Sequence, residues 1–121
     1  MDSPVRGFSH VQLRVRDIET STQWYATVLG VEPAGEPRGG NAVLVGNGGR
    51  YVVVISGDRP DGAGGEVDHL AFSVGTRDAL TAWAADLAAA GIDHSGPVES
   101  GEGLSIHLTD PDGMAVELIA P

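Results

Sequence analysis

The sequence predicts an α+β fold of two βαβββ modules, because one pattern of strand and helix signals occurs twice in its 121 residues. Residues 7–15 align with residues 66–74 at an offset of 59, and this alignment places His10 on His69. The apolar positions of the two segments coincide as well, namely Val11, Leu13 and Val15 with Leu70, Phe72 and Val74. A repeat of this length indicates one supersecondary unit used twice.

Each module opens with a strict alternation of apolar and polar residues, which is typical of a half-buried strand. A helix N-cap follows, Asp17 in the first module and Thr76 in the second, because their oxygens can accept from the free amides of a first turn. The helices are predicted over residues 18–29 and 77–90. Glycines suited to a left-handed C-cap end them, Gly30 and Gly91.

Three strands are predicted after each helix, which completes the βαβββ order. They lie near residues 31–37, 41–46 and 50–56 in the first module, and near 92–98, 103–109 and 113–120 in the second. Turn signals precede the last strands, at residues 46–49 and 110–113. The first module covers residues 1–57 and the second covers 66–121. Between them, residues 58–65 are rich in Gly, Pro and Asp and form a linker.

One face of the predicted sheets collects the polar residues of the strands. Successive strand residues point to opposite faces, so the apolar residues that cover the helices leave their neighbours on the other face. The residues of this second face are His10, Gln12, Arg14, His69, Ser73, His107 and Glu117. Aligning the last strands of the two modules places Val53 opposite Glu117. An apolar wall of Val43, Val45, Tyr51, Val53 and Ile55 is predicted on the same face, and such a mixture is usual in small-molecule pockets.

Two interpretations of this polar face remain open from the residues alone. A polar sheet face is most often simply solvated. Alternatively, two histidines and one carboxylate form a facial triad for a divalent ion, with coordination positions left for a substrate. The recurrence of a histidine at equivalent repeat positions favours His10, His69 and Glu117 as such a triad. Imidazole and carboxylate ligands suit Zn, Fe, Mn, Ni or Co about equally well.

The composition narrows the classes of function. A net charge of -10 argues against nucleic acid and anionic membranes as partners, and is compatible with a cationic small molecule or simply with solubility. The absence of cysteine and lysine excludes disulfides, thiol nucleophiles and Schiff-base chemistry. No leader and no apolar run near the ~20 residues of a membrane span occur, so a cytoplasmic location is the expectation.

Four motifs resemble those of the vicinal oxygen chelate (VOC) superfamily, at residues 7–15, 24–30, 68–74 and 110–118. This superfamily includes glyoxalase I, extradiol dioxygenases, fosfomycin-inactivating enzymes and bleomycin-resistance binding proteins. The resemblance covers residues 7–120 and implies paired modules whose mixed sheets curl around a cavity. It also implies that His10, His69 and Glu117 are the metal ligands.

The branch within the superfamily is not decided by the resemblance. Val53 is aligned with the fourth protein ligand of glyoxalase I type sites, His107 with a tyrosine of extradiol dioxygenases, and Gln12 with a threonine of the fosfomycin branch. Binding-only members lack the metal ligands, whereas this chain has all three residues.

We therefore expect a metal-dependent enzyme whose small-molecule substrate chelates the ion through neighbouring oxygens, with the ion acting as a Lewis acid. His107 is the candidate for proton transfer. The candidate substrate contacts are Gln12, Arg14, Val43, Tyr51, Val53 and Ser73. The alternative is a metal-independent protein that sequesters a ligand such as an antibiotic. A homodimer is expected in both cases, because modules of ~55 residues bury little surface alone.

Overall fold

The computed structural model describes residues 2–4, 7–35, 40–60 and 67–121, which fall into two compact units, Met1–Pro60 and Asp61–Pro121. The first unit contains β1 (Val11–Arg14), α1 (Ile18–Leu29), β2 (Ala42–Gly46) and β3 (Tyr51–Ser56). The second contains β4 (His69–Ser73), α2 (Arg77–Ala89), β5 (Val98–Ser100), β6 (Gly103–Thr109) and β7 (Ala115–Ala120). Residues 36–37 of a predicted strand and 61–65 of the predicted linker lie outside the described residues.

The first unit packs α1 on a three-stranded mixed sheet of order β1-β3-β2, in which β1 is parallel and β2 antiparallel to β3. Its helix begins where predicted, because the Asp17 carboxylate accepts a 3.0 Å hydrogen bond from the Thr20 amide. It ends at Gly30, whose φ of 69° is the left-handed conformation that glycine adopts without strain. The fully buried core side chains include Tyr25, Val28, Leu44 and Ile55.

The second unit packs α2 on a four-stranded mixed sheet of order β4-β7-β6-β5, in which only the pairing of β4 with β7 is parallel. Thr76 caps α2 by accepting from the Ala79 amide at 3.1 Å, and the chain leaves the helix through Gly91 at φ 79°. The buried core residues include Leu80, Leu87, Ile106 and Val116. Each unit therefore buries one face of its sheet under its helix and leaves the other face partly exposed.

The predicted register of β3 is wrong by one residue. Val53 pairs with Val11 and Leu44 and is 1% exposed, so it belongs to the core beneath the helix. By the same alternation Tyr51 and Ile55 lie on the helix side, where the Tyr51 ring leaves no room for a Cβ at its partner Gly46. Residues 51–55 are apolar at every position, so alternation in the sequence cannot choose between the two faces.

The residue equivalent to Glu117 is Val54. In the first unit Val54 pairs with Gln12 and with Val43, and in the second unit Glu117 pairs with Ala71 and with His107. Gln12 and Ala71 are related by the repeat offset of 59 residues. Val54 therefore replaces Val53 as the apolar counterpart of the carboxylate.

The first strand after each helix is shorter than predicted. Within the described part of residues 31–37, only Pro33 forms a bridge, with Leu44. In the second unit the strand predicted at 92–98 begins only at Val98, directly after Pro97, which has no amide hydrogen to donate to a ladder. Neither helix among the described residues is long and apolar enough to cross a membrane.

Candidate functional site

All four predicted site residues of the second unit lie on one face of its sheet. Glu117 is on the central strand β7, directly opposite His107 on β6, while His69 begins β4 on the other side of β7. Ser73 shares this face at the far end of β4, where it pairs with Ile119. The sheet order therefore puts a carboxylate between two imidazole-bearing strands.

His69 and Glu117 lie close enough to act on one ligand. Their facing atoms, His69 Nε2 and Glu117 Oε2, are 3.6 Å apart. The other ring nitrogen, His69 Nδ1, donates to Asp68 Oδ2 at 2.7 Å. The His69 side chain is 44% exposed and that of Glu117 is 14% exposed, so the pair is accessible from solvent on one side.

The carboxylates around His69 favour its charged form. The hydrogen bond to Asp68 raises the pKa of His69 above its ordinary value, and the negative charges of Asp68, Glu117 and Glu102 act in the same direction against partial desolvation. A site that stabilises an imidazolium also stabilises another cation in its place, because the interaction is with positive charge. The electrostatics of this face therefore suit a metal cation.

The geometry of the pair fits a shared divalent ion. Ligand atoms about 2.1 Å from an ion are about 3.0 Å apart at a right angle and about 3.4 Å apart at the tetrahedral angle. The observed separation of 3.6 Å is close to these values. Across residues 2–4, 7–35, 40–60 and 67–121, however, no three His, Asp or Glu side chains gather into a complete metal site. The second unit brings two candidate ligand side chains together, those of His69 and Glu117.

His107 is held through its main chain as well as its ring. Its amide donates to Ser95 Oγ at 2.9 Å, and its carbonyl accepts from the Ser95 amide at 2.9 Å. The ring atom Nε2 lies 3.2 Å from Ser105 Oγ, and Ser105 is only 3% exposed. The ring itself is on the exposed side of β6, so a fixed backbone presents an accessible imidazole beside Glu117.

The first unit places His10 directly before β1, and its Nδ1 lies 3.0 Å from Ser9 Oγ. Gln12 and Arg14 are both exposed on the face opposite α1. The Arg14 guanidinium already donates to the Asp58 carbonyl at 2.7 Å, so part of its hydrogen-bonding capacity is used within the unit.

An apolar patch accompanies these residues on the first unit. Val43 and Val45 lie on the predicted face, and their partners across β3 are Val54 and Val52. Val45 is 38% exposed, and the others are partly exposed. The patch therefore consists of Val43, Val45, Val52 and Val54. Tyr51, Val53 and Ile55, which were predicted for this face, are not part of it.

Two surface grooves of about 530 and 440 Å³ lie elsewhere on the first unit. They are lined by α1 and the segment after it, and the smaller one also by Ala42 of β2. None of the predicted site residues contributes. Thr22 lines both grooves, and its buried hydroxyl has no hydrogen-bond partner among the described residues. These grooves are on the helix side of the sheet.

Three residues that contact or correspond to the candidate site residues were not predicted from the sequence. Asp68 and Ser9, which contact the Nδ1 atoms of the two histidines, occupy equivalent positions of the repeat, so the alignment contained that signal. Val54 had no such signal, because its place depends on the strand register.

Residues 7–118 match the model of the Glyoxalase/Bleomycin resistance protein/Dioxygenase superfamily. A glyoxylase/bleomycin resistance protein/dioxygenase domain from Frankia sp. EAN1pec is 31% identical, with 96% of this chain and 98% of that chain covered and a TM-score of 0.79. Lactoylglutathione lyase from Agrobacterium tumefaciens is 18% identical, with 98% and 96% covered and a TM-score of 0.77. No curated protein matches the chain.

A mutant of the fosfomycin resistance protein FosX from Listeria monocytogenes, complexed with Mn(II) and 1S,2S-dihydroxypropylphosphonic acid, is 21% identical. The match covers 95% of this chain and 90% of that chain, with a TM-score of 0.73. At these identities the lyase and FosX are similar to this chain in fold alone.

Proposed function

Because the chain belongs to the glyoxalase/bleomycin resistance protein/dioxygenase superfamily, we propose that it is a divalent-metal-dependent enzyme. Its substrate is a small molecule that chelates the ion through two neighbouring oxygens. The observation that carries this proposal is the 3.6 Å approach of His69 Nε2 to Glu117 Oε2, with His69 Nδ1 already bonded to Asp68. A sheet face that only contacts solvent gives no reason for a histidine held by one carboxylate to approach a second carboxylate in this way.

The ligands would be His10, His69 and Glu117. Bound there, Zn, Fe, Mn, Ni or Co supplies a Lewis acid that stabilises negative charge developing on a substrate oxygen. The Mn(II) complex of FosX, which shares the fold, supports a divalent ion. Glu117 contributes the negative charge of this set, and Asp68 and Glu102 add to the field that retains a cation.

His107 would move a proton to or from the substrate. It lies directly across from Glu117 in the strand register, and its ring is accessible while its backbone is fixed by Ser95. An imidazole is suited to this role because its ordinary pKa is close to neutral pH. Gln12, Arg14 and Ser73 would orient the substrate, and the valine patch would contact its apolar part.

We also propose a homodimer in which His10 of one protomer joins His69 and Glu117 of its partner. Units of about 60 residues bury little apolar surface alone, which favours association. Mixed dimers test this arrangement. A dimer of one His10→Ala chain and one Glu117→Gln chain would regain one intact site if ligands are exchanged between chains. It would regain none if each site used a single chain.

The valine patch favours a second candidate, which is a metal-independent protein that binds an apolar ligand without chemistry. The partly exposed Val43, Val45, Val52 and Val54 would form the binding surface, and the net charge of -10 would suit a cationic compound. Metal content separates the two candidates. Protein purified without chelator or affinity tag should contain a divalent ion if it is an enzyme of the proposed type, and sequestration requires none.

A further inference from the structure

The residue that precedes each repeated histidine contacts the Nδ1 atom of that histidine. In the second unit Asp68 Oδ2 is 2.7 Å from His69 Nδ1, and in the first unit Ser9 Oγ is 3.0 Å from His10 Nδ1. Asp68 and Ser9 are themselves related by the offset of 59 residues, so the same contact occurs twice in the repeat. In both histidines the nitrogen left for other ligands is Nε2.

From this we infer that Asp68 is a positioning residue that makes Nε2 the ligand nitrogen of His69. This inference rests on the proposed metal site, and it assigns to Asp68 a function that acts through His69. An ionised carboxylate can only accept a hydrogen bond, so His69 Nδ1 must carry the proton that it donates. A neutral imidazole has one proton, so Nε2, which lies 3.6 Å from Glu117 Oε2, then has a free lone pair.

Ser9 imposes a weaker selection on His10. A hydroxyl both donates and accepts, so Ser9 Oγ is compatible with either tautomer of the neutral ring. Asp68 is compatible with only one. The two modules therefore use the same contact with different chemistry. In the neutral ring Asp68 selects the tautomer of His69 that leaves Nε2 free, whereas Ser9 makes no such selection for His10.

Known metal sites indicate how much Asp68 should contribute to metal affinity. Histidines that bind metals commonly donate their other N–H to a carboxylate, which fixes the ring and raises its basicity, and loss of that partner costs about 10–100-fold in affinity. Asp68 is 96% exposed, so water competes for its carboxylate, and we expect the lower part of that range.

The first arm of the test needs no metal. Nitrogen NMR of the histidine-labelled, metal-free protein at a pH where His69 is neutral should show Nδ1 protonated and Nε2 unprotonated. Asp68→Ala should shift His69 toward the other tautomer. Ser9→Ala should leave the His69 signals unchanged. Retention of the Nδ1–H tautomer in Asp68→Ala would overturn the inference.

The second arm measures affinity for Mn(II) or Zn(II). Asp68→Ala should weaken binding by about tenfold. Asp68→Asn should fall between this variant and the wild type, because an amide oxygen still accepts but carries no charge. The matched control is Glu102→Gln, which removes a charge that acts on His69 without a hydrogen bond. An equal loss in Glu102→Gln and Asp68→Ala would show that charge alone is responsible and would overturn the inference.

The two arms also distinguish failure of the inference from failure of the proposed function. A wild-type protein that binds neither ion would contradict the proposed function, and the tautomer measurement would still decide the role of Asp68. A wild-type protein that binds metal, with Asp68→Ala binding equally well, would contradict the inference alone.

Discussion

His107 and Glu117 occupy directly paired positions on the neighbouring antiparallel strands β6 and β7. The pairing sets an accessible imidazole beside a carboxylate that is only 14% exposed and that faces His69 on its other side. Glu117 is thus placed between a residue suited to hold an ion and a residue suited to move a proton. Substitution of each residue in turn separates these roles.

Glu117→Gln should weaken divalent-metal binding at least about tenfold, because the amide replaces the only carboxylate of the ligand set with a neutral donor. The fold should remain intact, since Glu117 lies on the face away from α2. Calorimetric titration with Zn(II) or Mn(II) measures the affinity, and circular dichroism checks the fold. Unchanged affinity would remove Glu117 from the ligand set.

His107→Phe should keep the metal stoichiometry of the wild type and reduce turnover of a substrate by about 10²–10⁴-fold, the usual contribution of a general acid or base. The counterpart of His107 in the first unit is Val43, so the repeat does not require a ligand at this position. Ser105→Ala, which removes the hydroxyl beside His107 Nε2, is the matched control for ring position. Loss of the ion in His107→Phe would make His107 a ligand instead.

The corrected register of β3 can be tested by comparing the folding stability of two variants at neighbouring positions, Val53→Glu and Val54→Glu. Val53 is 1% exposed beneath α1, so a carboxylate there should destabilise the fold by about 3 kcal/mol or more, or unfold it. Val54 is partly exposed on the other face, and the same change should cost only about 1 kcal/mol. Urea unfolding of the two variants gives the comparison. Equal losses, or the reverse order, would contradict the register.

Ionisation of Tyr51 should reduce the stability of the folded protein at alkaline pH. Burial raises the pKa of its phenol above the ordinary value of 10.0, so the unfolded chain loses this proton before the folded chain does. The contribution is fully present below pH about 10 and is lost as the pH rises through the folded-state pKa. Urea unfolding at increasing pH should show a shallower decline in Tyr51→Phe than in the wild type. Identical slopes would argue against burial as the cause.

The sequence predicted those parts of the fold in which local chemistry decides the structure. The helix α1 begins after Asp17 and ends at Gly30 as expected, because a capping carboxylate and a left-handed glycine act over a few residues. The faces of β6 and β7 also followed from alternation, since Ile106 and Leu118 are apolar while His107 and Glu117 are polar.

The remaining features depend on contacts that the sequence pattern does not specify. Residues 51–55 are apolar on both faces, so only pairing with β1 shows that Val54 rather than Val53 matches Glu117. The contact of Asp68 with His69 depends on the side-chain conformations of adjacent residues. Such conformations are not visible in an alternation of apolar and polar residues.

The most direct test of the proposed metal site is the metal content of the purified protein, measured beside that of His69→Ala. Elemental analysis of protein prepared without chelator or affinity tag should find a divalent ion in the wild type. His69→Ala should have lost it, with the fold unchanged by circular dichroism, because His69 is exposed at the start of β4 and contributes little to the core. A wild type free of metal that also fails to take up Zn, Fe, Mn, Ni or Co, or a His69→Ala variant that retains the full ion content, would contradict the account.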